Sequence, residues 1–297
     1  MARLRIVFFG LPLAALLLAR DGHDVVLAAI CRRDGLGLRR AQRQLGAARV
    51  LIRPTAADQA LIDRVRSEKP DLLVSWFWTT RLPMALVRAA RLGGIGAHPS
   101  LLPRHRGPDP TYWAIATGDR ETGVTVHRIE EDYDTGAMLA QETLRIDPSW
   151  TAWQLAKALD RPSLRLLRAT VSRIARGEPI QELPQDPALA TAAPFPDDEA
   201  CALRWAWSTE RVLRHVRALS PAPGAWTEIA GVTVTILRAA PAATFPAALE
   251  PGEGTTMDGA LAVVRTGDGA VALLEGEIDG RPASASDLAS LFRPPRA

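Results

Sequence analysis

The sequence has few cysteines and no long apolar segment. Of its 297 residues only two are cysteines, Cys31 and Cys201, and no Cys-x-x-Cys pairing occurs. This spacing provides neither a disulfide framework nor a cysteine-based zinc site. No run approaches the roughly 18 apolar residues of a membrane span, and residues 11–19 lack a small-residue cleavage site. We therefore expect a cytoplasmic protein with two free thiols.

Three common motifs are also missing. Residues 10–15 lack the G-x-G-x-x-G pattern, whose second and third glycines admit a pyrophosphate, so no NAD site is predicted. Neither a G-x-x-x-x-G-K-[ST] loop nor a G-x-S-x-G elbow occurs. Their absence removes the commonest phosphate-transfer and hydrolase classes.

Charge is distributed unevenly along the chain. Residues 1–50 carry nine arginines and three aspartates, whereas residues 201–297 carry nine arginines and ten acidic residues. A protein that binds nucleic acid through its phosphates needs a concentrated basic face. The C-terminal third does not predict one.

Apolar runs alternate with helical stretches in the first half of the chain, which is typical of β-α-β units. The pattern predicts an α/β domain with a Rossmann-like, mostly parallel sheet. Its strands are predicted at residues 5–10, 25–30, 50–52, 71–76 and 94–97. A helix at residues 111–117, strands at 122–129 and 137–142 and a helix at 152–176 follow.

A proline-rich stretch separates this region from the rest. Residues 183–198 contain four prolines and no periodicity, which predicts a linker. We expect an α/β domain over residues 1–182, a linker over 183–199 and a small β-barrel-like domain over 200–297. In the last, a helix is predicted at residues 208–218 and strands at 227–237, 259–266 and 270–276.

Two polar residues follow predicted strands. His98 comes directly after the strand at residues 94–97, and Asp134 follows the strand at 122–129. Ligands of open parallel sheets bind beyond the carboxyl ends of the strands, so both side chains are expected in one crevice. A carboxylate beside a histidine fixes its tautomer and stabilises the imidazolium. This pair predicts acyl-transfer chemistry.

The sequence around these two residues resembles the 10-formyltetrahydrofolate-dependent formyltransferases. The resemblance lies in residues 98–107 (His-Pro-Ser-Leu-Leu-Pro-Arg-His-Arg-Gly), residues 118–126 and the Asp-Thr-Gly of residues 134–136. Residues 5–10 are similar too, and residues 203–205 and 216–226 resemble the C-terminal domain of the methionyl-tRNA member. The resemblance implies a metal-independent enzyme that moves a formyl group from 10-formyltetrahydrofolate, or another reduced folate, to an amine. It places the tetrahedral intermediate beside His98.

The resemblance breaks at one catalytic position. The family uses an asparagine, a histidine and an aspartate; His98 and Asp134 match, but Gly96 stands at the asparagine position. The missing amide is expected to hold the formyl oxygen as it becomes an oxyanion. Loss of one such donor typically costs about 10²- to 10³-fold in rate. Candidate replacements are the Gly96 backbone, a water, the Ser100 hydroxyl and the His105 imidazole.

The resemblance also implies binding residues by position. The family holds its folate largely through backbone groups of the segments that match residues 75–83 and 129–134. The implied pterin slot consists of Arg81, Leu82, Ile129, Glu131 and Asp132. Substrate contacts are predicted for Arg104, Arg106 and Trp78, although loop arginines are often surface charges and Trp78 fits an alternating core strand.

We predict that the acceptor is a small amine, such as an amino sugar or a biosynthetic intermediate. Residues 31–40 lack the Arg-x-Lys-Lys-type run of the tRNA enzyme, which together with the acidic tail disfavours tRNA. Methionyl-tRNA is the second candidate. An altered one-carbon, carbamoyl or formyl-hydrolysing reaction is a third hypothesis. A non-catalytic folate-binding or partner-binding protein is a fourth, and the presence of His98, Ser100 and Asp134 argues against it.

Overall fold

The computed structural model describes residues 3–292, which form two compact units. The first unit contains the described residues of Met1–Pro110, Glu121–Arg145 and Lys157–Pro194. The second contains those of Thr111–Arg120, Ile146–Ala156 and Phe195–Ala297. No helix within residues 3–292 is long and apolar enough to cross a membrane.

The first unit is built on a seven-stranded sheet. Its strands are β1 (Arg5–Gly10), β2 (Asp24–Ile30), β3 (Val50–Ile52), β4 (Leu72–Trp76), β5 (Gly94–His98), β6 (Glu121–Arg128) and β7 (Met138–Arg145). Their order is β3-β2-β1-β4-β5-β6-β7. The first five are parallel to one another, whereas β6 and β7 are antiparallel to their neighbours. The predicted Rossmann-like, mostly parallel sheet is confirmed.

Helices cover both faces of this sheet. They are α1 (Pro12–Arg20), α2 (Leu38–Leu45), α3 (Gln59–Ser67), α4 (Met84–Val87) and α6 (Ala152–Ala175), whereas α5 (Pro110–Ala116) belongs to the second unit from Thr111 onward. One apolar core joins the sheet to α1 and α6 through residues such as Leu18 and Leu167. A second core joins the other face to α3 and α4 through Leu61 and Leu86. Burial on both faces explains why the parallel strands are continuous apolar runs.

The glycine at the end of β1 allows a close backbone contact with β4. Gly10 has φ +141°, and a Cβ there would lie 1.7 Å from the carbonyl oxygen of Trp76. The next amide, Leu11 N–H, donates to that same oxygen at 3.2 Å. Only glycine permits this close approach between β1 and β4.

The second unit contains a six-stranded antiparallel sheet. Its strands are β8 (Ala225–Ile229), β9 (Val232–Pro241), β10 (Gly254–Met257), β11 (Leu261–Arg265), β12 (Ala270–Ile278) and β13 (Arg281–Ser284). Its remaining helices are α7 (Asp198–Cys201), α8 (Thr209–Leu219) and α9 (Ala285–Ser290). The predicted β-rich C-terminal fold is confirmed.

One strand boundary in this unit was predicted wrongly. The single strand expected at residues 227–237 is interrupted, because the chain turns between β8 and β9 at Ala230 and Gly231. Both turn residues have positive φ, 52° and 78°. Two consecutive left-handed residues are the geometry of a tight hairpin, and alanine at the first of them hides the turn from sequence patterns.

The segment predicted as a linker is hydrogen-bonded to the first unit over most of its length. Leu183 exchanges two backbone hydrogen bonds with Met138, and Ala193 N–H donates to the carbonyl oxygen of Arg106 at 2.7 Å. We call residues 183–193 the strap. The boundary between the first and second units therefore lies after the strap, between Pro194 and Phe195.

Candidate functional site

His98 and Asp134 meet, but by a different route from the predicted one. Because β6 is antiparallel to β5, its carboxyl end lies beside Ile95, away from His98. The loop of residues 129–137 then folds back over the sheet, and Asp134 Oδ2 lies 3.5 Å from His98 Nδ1. The prediction that Asp134 simply follows a parallel strand end is wrong, since β6 runs in the opposite direction.

The hydrogen bonds of His98 fix its tautomer. The side chain is buried, and Nε2 lies 2.8 Å from the carbonyl oxygen of His105. A carbonyl oxygen only accepts, so Nε2 carries a proton and the lone pair of the neutral ring is on Nδ1. Burial lowers the pKa of His98 below its ordinary value, although Asp134 opposes this shift. His98 is therefore a neutral base at pH 7, with Nδ1 directed at Asp134.

Asp134 lies between two imidazoles and carries a charge at neutral pH. Its Oδ2 accepts the N–H of Gly107 at 2.9 Å, and its Oδ1 lies 3.4 Å from His127 Nε2. Burial acts to raise the pKa of Asp134, but the attraction of His98 once acid protonates it, the hydrogen bond from His127 and the Gly107 amide outweigh this effect. The net effect holds this pKa well below its ordinary range. Within residues 3–292, no group of three or more His, Cys, Asp or Glu is arranged to hold a metal ion.

The backbone around Asp134 explains the Asp-Thr-Gly sequence. Asp134 has φ +55°, a left-handed conformation that aspartate tolerates better than most residues. A Cβ on Gly136 would lie 2.0 Å from the carbonyl oxygen of Arg128, so the loop returns to β6 only with glycine there. The motif places one carboxylate against the sheet.

His127 is the site residue that the sequence analysis missed. It lies on β6 directly opposite Gly96, and only 5% of its surface is exposed. Its Nδ1 lies 2.7 Å from the carbonyl oxygen of Arg128, so Nδ1 donates and Nε2 faces Asp134. The sequence shows only that this histidine lies within the strand predicted at residues 122–129. Its neighbour across the sheet depends on the register between strands, which the sequence does not show.

The two side chains predicted as oxyanion donors, Ser100 and His105, contact other groups. Ser100 is fully buried, and its hydroxyl donates to the carbonyl oxygen of Arg104 at 2.6 Å. His105 contributes its carbonyl to His98, while its ring lies near Thr191. Gly96 lies inside the sheet between β4 and β6. Ser100 and His105 thus shape the loop around His98.

Arg106 reaches Asp134 through the strap. Its Nε and Nη2 donate to Gln185 Oε1 at 3.0 and 2.7 Å. Gln185 Nε2 in turn donates to the carbonyl oxygens of Asp134 and Gly136 at 2.7 and 2.8 Å. Arg106 therefore stabilises the Asp134 loop. The sequence analysis did not predict this role. Arg104 is exposed, and anion binding by either arginine stays a prediction.

The structure brings the five implied pterin-slot residues together. Arg81 Nε donates to the carbonyl oxygen of Glu131 at 2.6 Å, and Arg81 Nη2 lies 3.4 Å from Asp132 Oδ1. Leu82 and Ile129 belong to one apolar cluster.

Trp78 packs against the same cluster, with its ring edge-on to Phe9 at 5.1 Å. Its buried indole Nε1 has no hydrogen-bond partner among the described residues. An apolar wall with one unpaired buried donor is chemistry that fits a flat, polar-edged pterin ring.

Comparisons with known proteins identify relatives over almost the whole chain. The "Formyl transferase" model matches residues 12–171, and "Formyl transferase, C-terminal domain" matches residues 197–293. The chain is 36% identical to the methionyl-tRNA formyltransferase of Anaeromyxobacter dehalogenans (strain 2CP-C), covering 98% of this chain and 97% of that protein. It is 32% identical to the enzyme of the same name from Syntrophus aciditrophicus (strain SB), covering 95% and 93%.

Solved structures show the same fold at lower identity. HypX from Aquifex aeolicus in complex with tetrahydrofolic acid matches with a TM-score of 0.69 and 20% identity, covering 97% of this chain and 47% of that one. The N-formyltransferase from Helicobacter canadensis, in complex with folinic acid and dTDP-3-aminofucose, matches with a TM-score of 0.69 and 14% identity, covering 91% and 98%.

Proposed function

The chain belongs to the formyl transferase family, and we propose that it transfers the formyl group of 10-formyltetrahydrofolate to the primary amine of a small molecule. The observation that carries the reaction is the buried pair in which His98 Nδ1, a neutral base, lies 3.5 Å from the ionised Asp134. Such a pair accepts a proton and stabilises the resulting imidazolium.

The residues of the site account for the proton movements. The folate supplies an activated formyl carbon. The amine nitrogen forms a bond to that carbon while the carbonyl electron pair moves onto oxygen, and His98 Nδ1 accepts the amine proton. Asp134 stabilises the charge on His98. The electron pair on oxygen then re-forms the carbonyl as the bond between the formyl carbon and the folate nitrogen breaks. The pair of the broken bond stays on that nitrogen, to which His98 returns the proton through a water.

The charge of the second unit supports a small acceptor. Residues 195–292 contain thirteen acidic residues, seven arginines and no lysine. An acidic surface repels phosphates, and phosphate contacts supply most of the affinity of nucleic-acid-binding proteins. Methionyl-tRNA is the second candidate acceptor, because the relatives that match over almost the whole chain carry that activity in their names.

We expect 5-formyltetrahydrofolate, a stable reduced folate, to bind below millimolar concentration in the slot at Arg81 and Glu131. Arg81→Ala should weaken binding by about two- to fivefold, since exposed ionic contacts contribute little. Arg49→Ala removes a similarly exposed arginine that pairs with Asp24, and it should leave the affinity unchanged. Isothermal titration calorimetry measures all three proteins. No heat of binding at millimolar folate would remove the folate hypothesis.

We expect methionyl-tRNA to be a poor acceptor. Binding of initiator tRNA, followed by filter retention between 50 and 200 mM salt, should show a shallow dependence, with a log–log slope of magnitude below about 2. A protein that contacts six or more phosphates gives a slope of about 5 or steeper. Formylation of methionyl-tRNA and of a panel of amino sugars and other primary amines is compared in parallel. A steep slope with efficient tRNA formylation would establish the second candidate instead.

A further inference from the structure

The peptide group between His105 and Arg106 lies between the base His98 and the strap. Its carbonyl oxygen accepts the Nε2–H of His98 at 2.8 Å. Its N–H, on the opposite edge of the same plane, donates to the backbone oxygen of Thr191 at 2.8 Å. The N–H of His105 donates to the Thr191 hydroxyl, also at 2.8 Å. Thr191 therefore holds the amides on both sides of His105.

The backbone of His105 needs this support. Its φ of +58° lies in the left-handed region, which is uncommon for residues other than glycine. Only 3% of His105 is exposed, and Thr191 N–H donates back to the carbonyl oxygen of Pro103 at 3.3 Å. Such a conformation persists where the surrounding contacts hold it in place. Here those contacts come from the strap.

The position of the His105 carbonyl decides which nitrogen of His98 carries the ring proton. A carboxylate attracts this proton to the nitrogen that faces it, and Asp134 Oδ2 lies 3.5 Å from Nδ1. The His105 carbonyl attracts the same proton to Nε2 and lies closer, at 2.8 Å. If the carbonyl moved away, the proton would shift to Nδ1. The ring would then have no lone pair on the nitrogen that accepts the amine proton.

We propose that Thr191 is a positioning residue, whose hydroxyl keeps the His105 carbonyl directed at His98 and so keeps the lone pair of the base on Nδ1. This inference rests on the proposed function. Gln185, in the same strap, holds the other member of the catalytic pair, because its Nε2 donates to the carbonyl oxygens of Asp134 and Gly136. The two strap residues act on different members of the pair, so their effects can be separated.

Steady-state kinetics test the role of the hydroxyl. Thr191→Val replaces it with a methyl group and should lower kcat about 10- to 100-fold, with the folate KM within about threefold, because a misplacement of about 1 Å at a reacting group can cost 10²-fold. Thr191→Ser keeps the hydroxyl and should keep most of the activity. Thr170→Val is the matched control, since Thr170 is a buried threonine of α6 whose hydroxyl donates to the Leu166 carbonyl at 2.9 Å. It should leave kcat unchanged.

Nitrogen-15 NMR at pH 8 measures the tautomer of His98 without substrate. The chain contains five histidines, and the His98 signal is identified by its loss in His98→Gln. The natural chain should show the proton on Nε2, and Thr191→Val should add a second form with the proton on Nδ1. Gln185→Glu keeps the acceptor for Arg106 but removes the donor to the Asp134 loop, so it should leave His98 protonated on Nε2.

Four outcomes would overturn the proposal. They are a Thr191→Val kcat within about threefold of natural, a Thr191→Ser chain as slow as Thr191→Val, a His98 tautomer that Thr191→Val leaves unchanged, and equal tautomer changes in Thr191→Val and Gln185→Glu, which would indicate a general loosening of the strap. If Thr191→Val does not fold, Thr191→Ala carries the same expectations. A natural chain that formylates no amine would refute the proposed function, and the NMR comparison would then decide the role of Thr191.

Discussion

Replacement of His98 by alanine is expected to abolish measurable formyl transfer. Its Nδ1 is the neutral base beside Asp134, and general base catalysis typically contributes about 10²- to 10⁴-fold. The cavity left by the ring also admits water to a buried carboxylate. Single-turnover consumption of 10-formyltetrahydrofolate in the presence of an accepted amine measures the loss. His23→Gln serves as the control, because His23 is buried in the same unit, where its Nδ1 accepts the Leu4 amide at 3.4 Å.

The pH profile provides a second measurement of the same role. Burial lowers the pKa of His98, so its base form persists below the ordinary histidine value of 6.5. We expect kcat/KM to stay level down to about pH 6.5 and to fall only as the medium becomes more acidic, when Nδ1 gains a proton. An acid limb centred above pH 7 would contradict a His98 that is neutral at rest.

Asp134→Asn is expected to lower kcat by about 10³- to 10⁴-fold, as the loss of the charged partner of a catalytic histidine does elsewhere. The amide keeps the shape of the carboxylate but removes the negative charge that faces both His98 and His127. The folate KM should change by less than tenfold, because the pterin slot uses other residues. Steady-state kinetics are measured for Asp134→Asn and, as the control, for Asp63→Asn on the exposed side of α3. Asp63→Asn should leave kcat unchanged, so a loss specific to Asp134→Asn reports the missing charge in the site.

The stability of the same variant has a defined pH dependence. The pKa of Asp134 is lowered on folding, so its carboxylate stabilises the folded state above the unfolded pKa of about 3.8, and this contribution is lost as pH falls below that value. The difference in melting temperature between the natural chain and Asp134→Asn should be largest near neutral pH and shrink below about pH 4. A difference that is constant with pH would mean that the carboxylate is not ionised in the folded protein.

The sequence predicted the parallel sheet because strands buried on both faces leave continuous apolar runs such as β1 and β2. It also predicted that His98 and Asp134 belong to one site, although the argument from parallel strand ends assigned β6 the wrong direction. Direction was not readable, because apolar runs look the same whichever way a strand pairs.

Pairing across the sheet was the main information that the sequence did not contain. His127 became visible as a site residue only when β6 was placed in register with Gly96. Gln185 lies in a proline-rich stretch that resembles a linker by composition, and only its hydrogen bonds show that it supports the Asp134 loop. Such contacts join residues about fifty positions apart, and local propensity carries no record of them.

The strap sets a rule for recombining this chain with its relatives. A fragment that ends at residue 182, where the prolines begin, would leave the Asp134 loop without Gln185 and would leave the His105 amide without the Thr191 hydroxyl. A crossover that exchanges the C-terminal module therefore belongs after Pro194, so that the strap stays with the sheet whose carboxylate it holds. Hybrids cut before the strap would lose the Gln185 and Thr191 hydrogen bonds that hold the Asp134 and His105 loops in place.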